Sequence, residues 1–304
     1  MKNGIIYTAD VLKALNTGKP VVALESTIIA HGMPYPQNLE FAREAEAIAI
    51  AYGAEPATIA ILGGKVCVGL DDGQLEQLAS DPSVSKVATR EIGFTLARKG
   101  NGATTVSATM SLAQAAGIKV FATGGIGGVH RGAAENFDIS ADLIELSRTP
   151  VIVVSAGAKA ILDLPKTLEY LETMSVPVIG YQTDEFPAFY SRKSGLMLSA
   201  RANFAKKIAA TYLAQLEMGI SSGILVANPV PEEFDIPLEI MDKHIADALQ
   251  EAHSKGIEGK ALTPFMLGRI VELTGGESLV TNRALALNNV KLAAEIAFKL
   301  SELT

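Results

Sequence analysis

Val151-Ile152-Val153-Val154-Ser155-Ala156-Gly157-Ala158-Lys159 is an apolar, β-branched run that ends in small residues and then a lysine. Such a run reads as a buried strand. It delivers an amine to the rim of a sheet, where open α/β folds place their ligands. On its N-terminal side, residues 139–147 predict a helix, 118–122 a strand, 104–116 a helix closed by Gly117, 57–62 a strand, 38–52 a helix and 21–25 a strand. On its C-terminal side, 164–174 predicts a helix and 176–181 a strand. Helices at 201–217 and 236–255 then enclose a strand at 223–228, and 263–273 and 279–300 close the chain as helices. This alternation predicts an α/β fold: three layers, α/β/α, around a mostly parallel central sheet. With no linker, repeat or low-complexity stretch, residues 1–304 are expected to form a single domain, with surface excursions at 71–82 and 182–194.

Nearly half of the 304 residues are hydrophobic, enough for a sizeable core. The 26 basic and 33 acidic residues give a net charge of −7, which argues against a general nucleic-acid or anionic-membrane surface. A locally basic pocket for a small anion is still compatible with that balance. The single cysteine, Cys67, makes no intrachain disulfide and reads as a small core residue. The start, Met1-Lys2-Asn3-Gly4-Ile5-Ile6, lacks a signal-peptide apolar region, and no membrane span is apparent. A cytoplasmic setting is the expectation.

Several familiar patterns fail. Gly125-Ile126-Gly127-Gly128-Val129-His130 follows a strand, but His130 replaces the third glycine of the dinucleotide fingerprint. Gly64-Lys65 lacks the upstream glycine of a phosphate-binding P-loop. His244 and His253 are nine residues apart, on nearly opposite faces of one helix, and form no zinc pair. There is no Gly-x-Ser-x-Gly nucleophile elbow.

Other segments survive. Lys159 follows small residues that leave room for a ligand and supply no nearby carboxylate; its plain alternative is a first-turn helix lysine reaching water. Desolvation lowers a lysine pKa, and a neutral amine can attack a sugar aldehyde to form a Schiff base. Glu25 ends an apolar strand, where a carboxylate is costly unless partnered. It reads either as a general acid/base or as a buried structural acid. In Phe137-Asp138-Ile139-Ser140-Ala141-Asp142, the oxygen-rich cluster suits Mg²⁺ or Mn²⁺ and the helix start suits phosphate, while Asp138 or Ser140 can also simply cap the helix. Asn101-Gly102-Ala103-Thr104-Thr105-Val106-Ser107 opens another helix and fits either an anion or a plain cap. Lys86 is either the cationic partner of that anion or a solvated surface lysine.

These strings resemble the pseudouridine-5′-phosphate glycosidases, relatives of the indigoidine synthase A-like proteins. The resemblance runs from Val21 to the C-terminal helix. It is carried by Glu25-Ser26-Thr27, by the 101–105 and 137–142 segments, by Phe121-Ala122-Thr123-Gly124-Gly125-Ile126-Gly127-Gly128-Val129-His130-Arg131-Gly132 and by Ser155-Ala156-Gly157-Ala158-Lys159. Gly180-Tyr181-Gln182-Thr183, Ala227-Asn228-Pro229 and Leu273-Thr274-Gly275-Gly276 extend it. It implies reversible cleavage of a C–C glycosidic bond to uracil and ribose 5-phosphate. By that likeness Lys159 is the Schiff-base nucleophile, Glu25 the proton donor and Asp138 the ligand of one Mn²⁺ ion per subunit. Lys86, Thr105, Val106, Ser140, Ala141 and Asp142 bind the phosphorylated sugar, Thr123, His130 and Asn282 complete the substrate site, and the assembly is a homotrimer. One departure is Ala88, where a serine is expected two residues after Lys86.

The chemistry agrees with the resemblance. A carbanion at uracil C5 is a far worse leaving group than an alkoxide, so the two-carboxylate glycosidase route suits it poorly. Opening the ribose and forming an iminium at C1′ gives the C–C bond another way to break. That needs an amine, an acid and a grip on phosphate. A different Schiff-base lyase or transferase on a sugar phosphate, or a non-catalytic sugar-phosphate-binding regulator, shares part of this set.

Overall fold

The computed structural model describes residues 4–257 and 262–304; residues 1–3, part of the N-terminal stretch read above, lie outside the described residues. The strands are β1 (Ile5–Tyr7), β2 (Val21–Leu24), β3 (Glu55–Leu62), β4 (Lys65–Val68), β5 (Ser85–Val87), β6 (Gly102–Thr104), β7 (Val120–Ala122), β8 (Ile152–Ser155), β9 (Val178–Tyr181), β10 (Ala200–Ala202) and β11 (Ile224–Ala227). The helices are α1 (Ala9–Asn16), α2 (Thr27–His31), α3 (Gln37–Ala51), α4 (Asp72–Ser80), α5 (Ile92–Ala97), α6 (Val106–Ala116), α7 (Ala133–Asn136), α8 (Ala141–Arg148), α9 (Leu164–Thr173), α10 (Ala205–Glu217), α11 (Leu238–Ser254), α12 (Leu262–Leu273) and α13 (Glu277–Ser301).

The sheet runs β1-β4-β3-β2-β7-β8-β11-β9-β10, and β6 joins both β3 and β5. From β3 through to β10 every neighbouring pair is parallel. β2, β8 and β11 are buried at every position, which is why they read as unbroken apolar runs and not as alternating ones. α6 packs on β2, β3 and β7 and against α8, while α13 lies on β2, β7 and β8 with α3 and α10 beside it. The expected layered α/β architecture with a mostly parallel sheet is therefore present.

One irregularity positions everything that follows. β3 outruns β2: residues 55–58 pair with β2, while Ala60 and Ile61 pair with the antiparallel β6. β2 and β6 thus approach each other head-on along β3. Their C-terminal ends, Leu24 and Thr104, meet near Thr58 and Ile59. Ser26 Oγ locks the junction, donating to the Ile59 carbonyl at 2.7 Å and accepting from the Thr104 N–H at 2.8 Å.

Several expectations need correction. Residues 71–82 lie at the surface as expected but are not irregular: Asp71 and Gln74 form a reciprocal capping box that starts α4, and Leu75 and Leu78 are buried in the cluster that holds Cys67. The polar first turn masked the helical spacing of those two leucines. Residues 182–194 also fold inward, burying Phe186, Phe189 and Tyr190. The expected helix at 104–116 begins only at Val106, because Thr104 still belongs to β6. The helix expected from 201 begins at Ala205, since Arg201 lies in β10. Cys67 is a buried core residue as read, and burial pushes its thiol pKa up.

Candidate active site

Glu25 stands where β2 leaves the sheet and is almost wholly buried. Burial raises its carboxyl pKa above the ordinary 4.5, and Asp142 adds to the rise. Lys159, the Thr123 hydroxyl and Lys86 oppose it, in that order of effect. Thr123, just beyond β7, donates its Oγ1 to Glu25 Oε1. An acid held up by desolvation, yet gripped by a hydroxyl and overlooked by two lysines, has the surroundings that proton transfer requires.

The head-on junction also aims a helix at this spot. Thr105 caps α6 with extended backbone, and its N–H bonds the Val87 carbonyl at 2.9 Å, next to Lys86 on β5. Val106 is the first helical residue and is buried. A second helix start lies beside the first. Ser140 caps α8, its Oγ accepting from the Asp142 N–H at 3.2 Å, and Ala141 opens the helix. The Asp142 carboxylate joins the two: Oδ1 accepts from the Ser107 N–H at 2.9 Å and Oδ2 from the Gly127 N–H at 2.8 Å. A Cβ on Gly127 would lie 2.2 Å from Ser140 Oγ, so only glycine allows this approach. Two helix N-termini and a glycine loop converge with Lys86 nearby, an arrangement that favours a phosphate. Ala88 brings no hydroxyl to this position, and the next one, Thr89 Oγ1, donates to Glu145 Oε2 at 3.1 Å.

Lys159 is not on a helix, so its plain alternative as a first-turn lysine does not hold. It sits half-buried in the loop after β8, its N–H bonded to the Ile126 carbonyl at 3.0 Å. The 182–194 segment roofs this loop. A Cβ on Gly157 would lie 2.3 Å from the Pro187 carbonyl oxygen, and one on Gly125 would lie 2.6 Å from the Phe189 ring. The charge of Lys159 bears on both Glu25 and His130. His130 is held below its ordinary pKa, first by burial, against the upward pull of Asp138.

His130 Nδ1 lies 3.8 Å from Asp138 Oδ2. Among the described residues no group of three or more His, Cys, Asp or Glu gathers as a metal site. A single, 41 % exposed carboxylate at Asp138 still fits a hard divalent cation that keeps most of its coordination for water and ligand oxygens. Asn282, on α13, is 9 % exposed and borders Gly124 at the end of β7.

Sequence reading missed Asn289. It is fully buried on α13, one heptad past Asn282, and its amide donates to the Thr123 and Gly124 carbonyls at 2.8 and 3.3 Å. An asparagine pair, Asn288-Asn289, inside an otherwise apolar helix face was the available signal.

Comparison with known proteins is consistent with this geometry. The family profile described as indigoidine synthase A like protein matches residues 10–299. A pseudouridine-5′-phosphate glycosidase of Solibacter usitatus is 57 % identical over 288 residues, covering 95 % of this chain and 96 % of the relative. Another, from Caldanaerobacter subterraneus subsp. tengcongensis, is 54 % identical and covers 100 % and 99 %. Among solved structures, the prealnumycin C-glycosynthase AlnA in complex with ribulose 5-phosphate superposes with a TM-score of 0.93 at 37 % identity, covering 100 % of this chain and 99 % of that one. An indigoidine synthase A-like protein from Thermotoga maritima gives 0.90 at 40 % identity, covering 99 % and 98 %.

The raised pKa of Glu25 has a thermodynamic signature. Its folded-state value exceeds its unfolded one, so it supports stability at low pH and loses that support as pH rises through the folded value. Glu25→Gln should therefore gain stability relative to the parent as pH climbs from about 4 to about 8. Urea midpoints at each pH measure this; a gap that stays constant or narrows with rising pH contradicts the assignment.

Proposed function

The chain belongs to the family of indigoidine synthase A like proteins, and on that premise we propose that it reversibly cleaves the C–C glycosidic bond of pseudouridine 5′-phosphate. The products are uracil and ribose 5-phosphate. One observation carries the reading: a buried acid, a half-buried lysine and two facing helix N-termini share one rim of the sheet. Relatives of near-complete coverage carry the name pseudouridine-5′-phosphate glycosidase.

The phosphate rests on the α6 and α8 starts with Lys86, and Ser140 and Thr105 bring hydroxyls to its edge. The Asp142 carboxylate, engaged by two backbone N–H groups, holds those starts together. The Lys159 amine adds to C1′ and the ring oxygen O4′ leaves with a proton. The nitrogen lone pair then becomes the C=N bond as the C1′–C5 bond breaks, and that bond's electrons take a proton from Glu25 at uracil C5. Water hydrolyses the resulting iminium, frees the Lys159 amine and releases the ribose 5-phosphate aldehyde. Asn282 contacts the base, Thr123 holds Glu25, and His130, kept neutral, faces the sugar hydroxyls. Asp138 would hold Mn²⁺, which when bound polarises sugar and phosphate oxygens. The working form is a cytoplasmic homotrimer.

Borohydride added with ribose 5-phosphate should fix a mass adduct on Lys159, and pseudouridine 5′-phosphate should yield uracil. An adduct on Lys86, or none, overturns the nucleophile. Unphosphorylated pseudouridine should lose about 10²- to 10⁴-fold in kcat/KM, the loss of about two charge-assisted hydrogen bonds. Comparable values for the two substrates refute the phosphate cradle.

Chelation should abolish uracil release and Mn²⁺ should restore it; full activity after exhaustive chelation removes the metal from the scheme. Sedimentation equilibrium should give three chains per particle, and a one-chain mass independent of concentration rules out the trimer.

A further inference from the structure

We infer that Asn289, oriented by Asn228, is a positioning residue that sets the Thr123–Glu25 pair for the proton-transfer step. The inference rests on the reading of Glu25 as the proton donor.

β7 ends at Ala122, and β2, its neighbour, has already turned away at Glu25. The Thr123 N–H still bonds the Val154 carbonyl at 3.0 Å, but the Thr123 carbonyl points off the ladder, toward α13. There it meets Asn289 Nδ2 at 2.8 Å, and the same nitrogen reaches the Gly124 carbonyl at 3.3 Å. A buried carbonyl left without a donor is costly, so this amide fixes the backbone at Thr123, while the Gly124 carbonyl also accepts from the Ala156 N–H at 2.9 Å. The side chain of Thr123 is the one that grips Glu25.

The amide could face either way. Asn228, just past β11, decides it: its Nδ2 donates to Asn289 Oδ1 at 2.9 Å, leaving Asn289 Nδ2 for the two carbonyls. The Asn228 N–H in turn bonds the Ser155 carbonyl at 2.8 Å, at the end of the strand that leads to Lys159. Both asparagines are buried, at 0 % and 5 % exposure. Their side-chain bonds go to each other and to the Thr123 and Gly124 carbonyls, next to the acid and the strand ends.

Asn289→Ala should lower kcat for uracil release about 10²-fold, the scale of a small misplacement of a reacting group, with KM within about threefold. Schiff-base trapping of ribose 5-phosphate on Lys159 should persist, because that step does not need Glu25 to reach C5. The Thr123 bond favours the ionised form of Glu25. Loosening it lets Glu25 stay protonated to higher pH, so the alkaline limb of kcat should move upward. Thr123→Val should shift it the same way, and adding Asn289→Ala to Thr123→Val should cost no more than about a further twofold. If Asn289→Ala fails to fold, Asn228→Asp carries the test. It presents an acceptor to Asn289 Oδ1, turns the amide round and sets an oxygen against two carbonyls. Additive losses, or an alkaline limb that stays in place in a folded variant, overturn the positioning role. Absence of any trapped adduct in the parent protein overturns instead the Schiff-base reading on which it stands.

Discussion

A buried β-strand that loses its neighbour halfway along leaves backbone groups with nothing to bond, and β3 faces that difficulty beyond Thr58. The solution is the Ser26 hydroxyl. It caps the Ile59 carbonyl, receives the Thr104 N–H and so welds two strand ends that run into each other. Thr104 Oγ1 doubles the weld with its own bond to Ile59 at 2.7 Å. Because the ends collide, Glu25 at one end and the start of α6 at the other are forced into the same neighbourhood. An acid that prefers to be neutral and a helix terminus that prefers an anion become neighbours by topology, with no need for either to be drawn there by the other.

Charge at this rim is arranged in two layers. Asp142 is an internal anion, answered by the Ser107 and Gly127 N–H groups, so the two helix starts are aligned before any ligand arrives. Lys86 and Lys159 lie above, and their charges reach Glu25 and, with Asp138, His130. A chain of net charge −7 thereby gathers two lysines at one rim of its sheet. An anion attracted to this rim would be held by short-range bonds and not by the field of the whole molecule.

The parallel core was legible because β8, β2 and β11 carry no polar interruptions, and so were Glu25 and Lys159, polar residues standing at the ends of such runs. Three things escaped. α4 hid behind its own polar capping turn, since Asp71 and Gln74 look like loop residues until they bond each other. The roof at 182–194 is polar at both ends, which hid the three aromatics it buries, Phe186, Phe189 and Tyr190, and the room for them comes from the bare glycines at 125 and 157. Asn289 showed only as one of an asparagine pair in α13, and its partners, two backbone carbonyls and Asn228, lie too far away in sequence to be read from that pattern.

Asn282 and Asn289 share the inner face of α13, seven residues apart, with Ala286 packed near Gly124 between them. A helix rises about 1.5 Å and turns about 100° per residue. The spacing between the amide beside Gly124 and the strand-bracing amide is therefore a ruler with fixed marks. One residue inserted or deleted between them swings Asn289 a quarter of a circle or more from Thr123. Along this stretch the outward-facing composition is free to drift over evolutionary time, while its length is not.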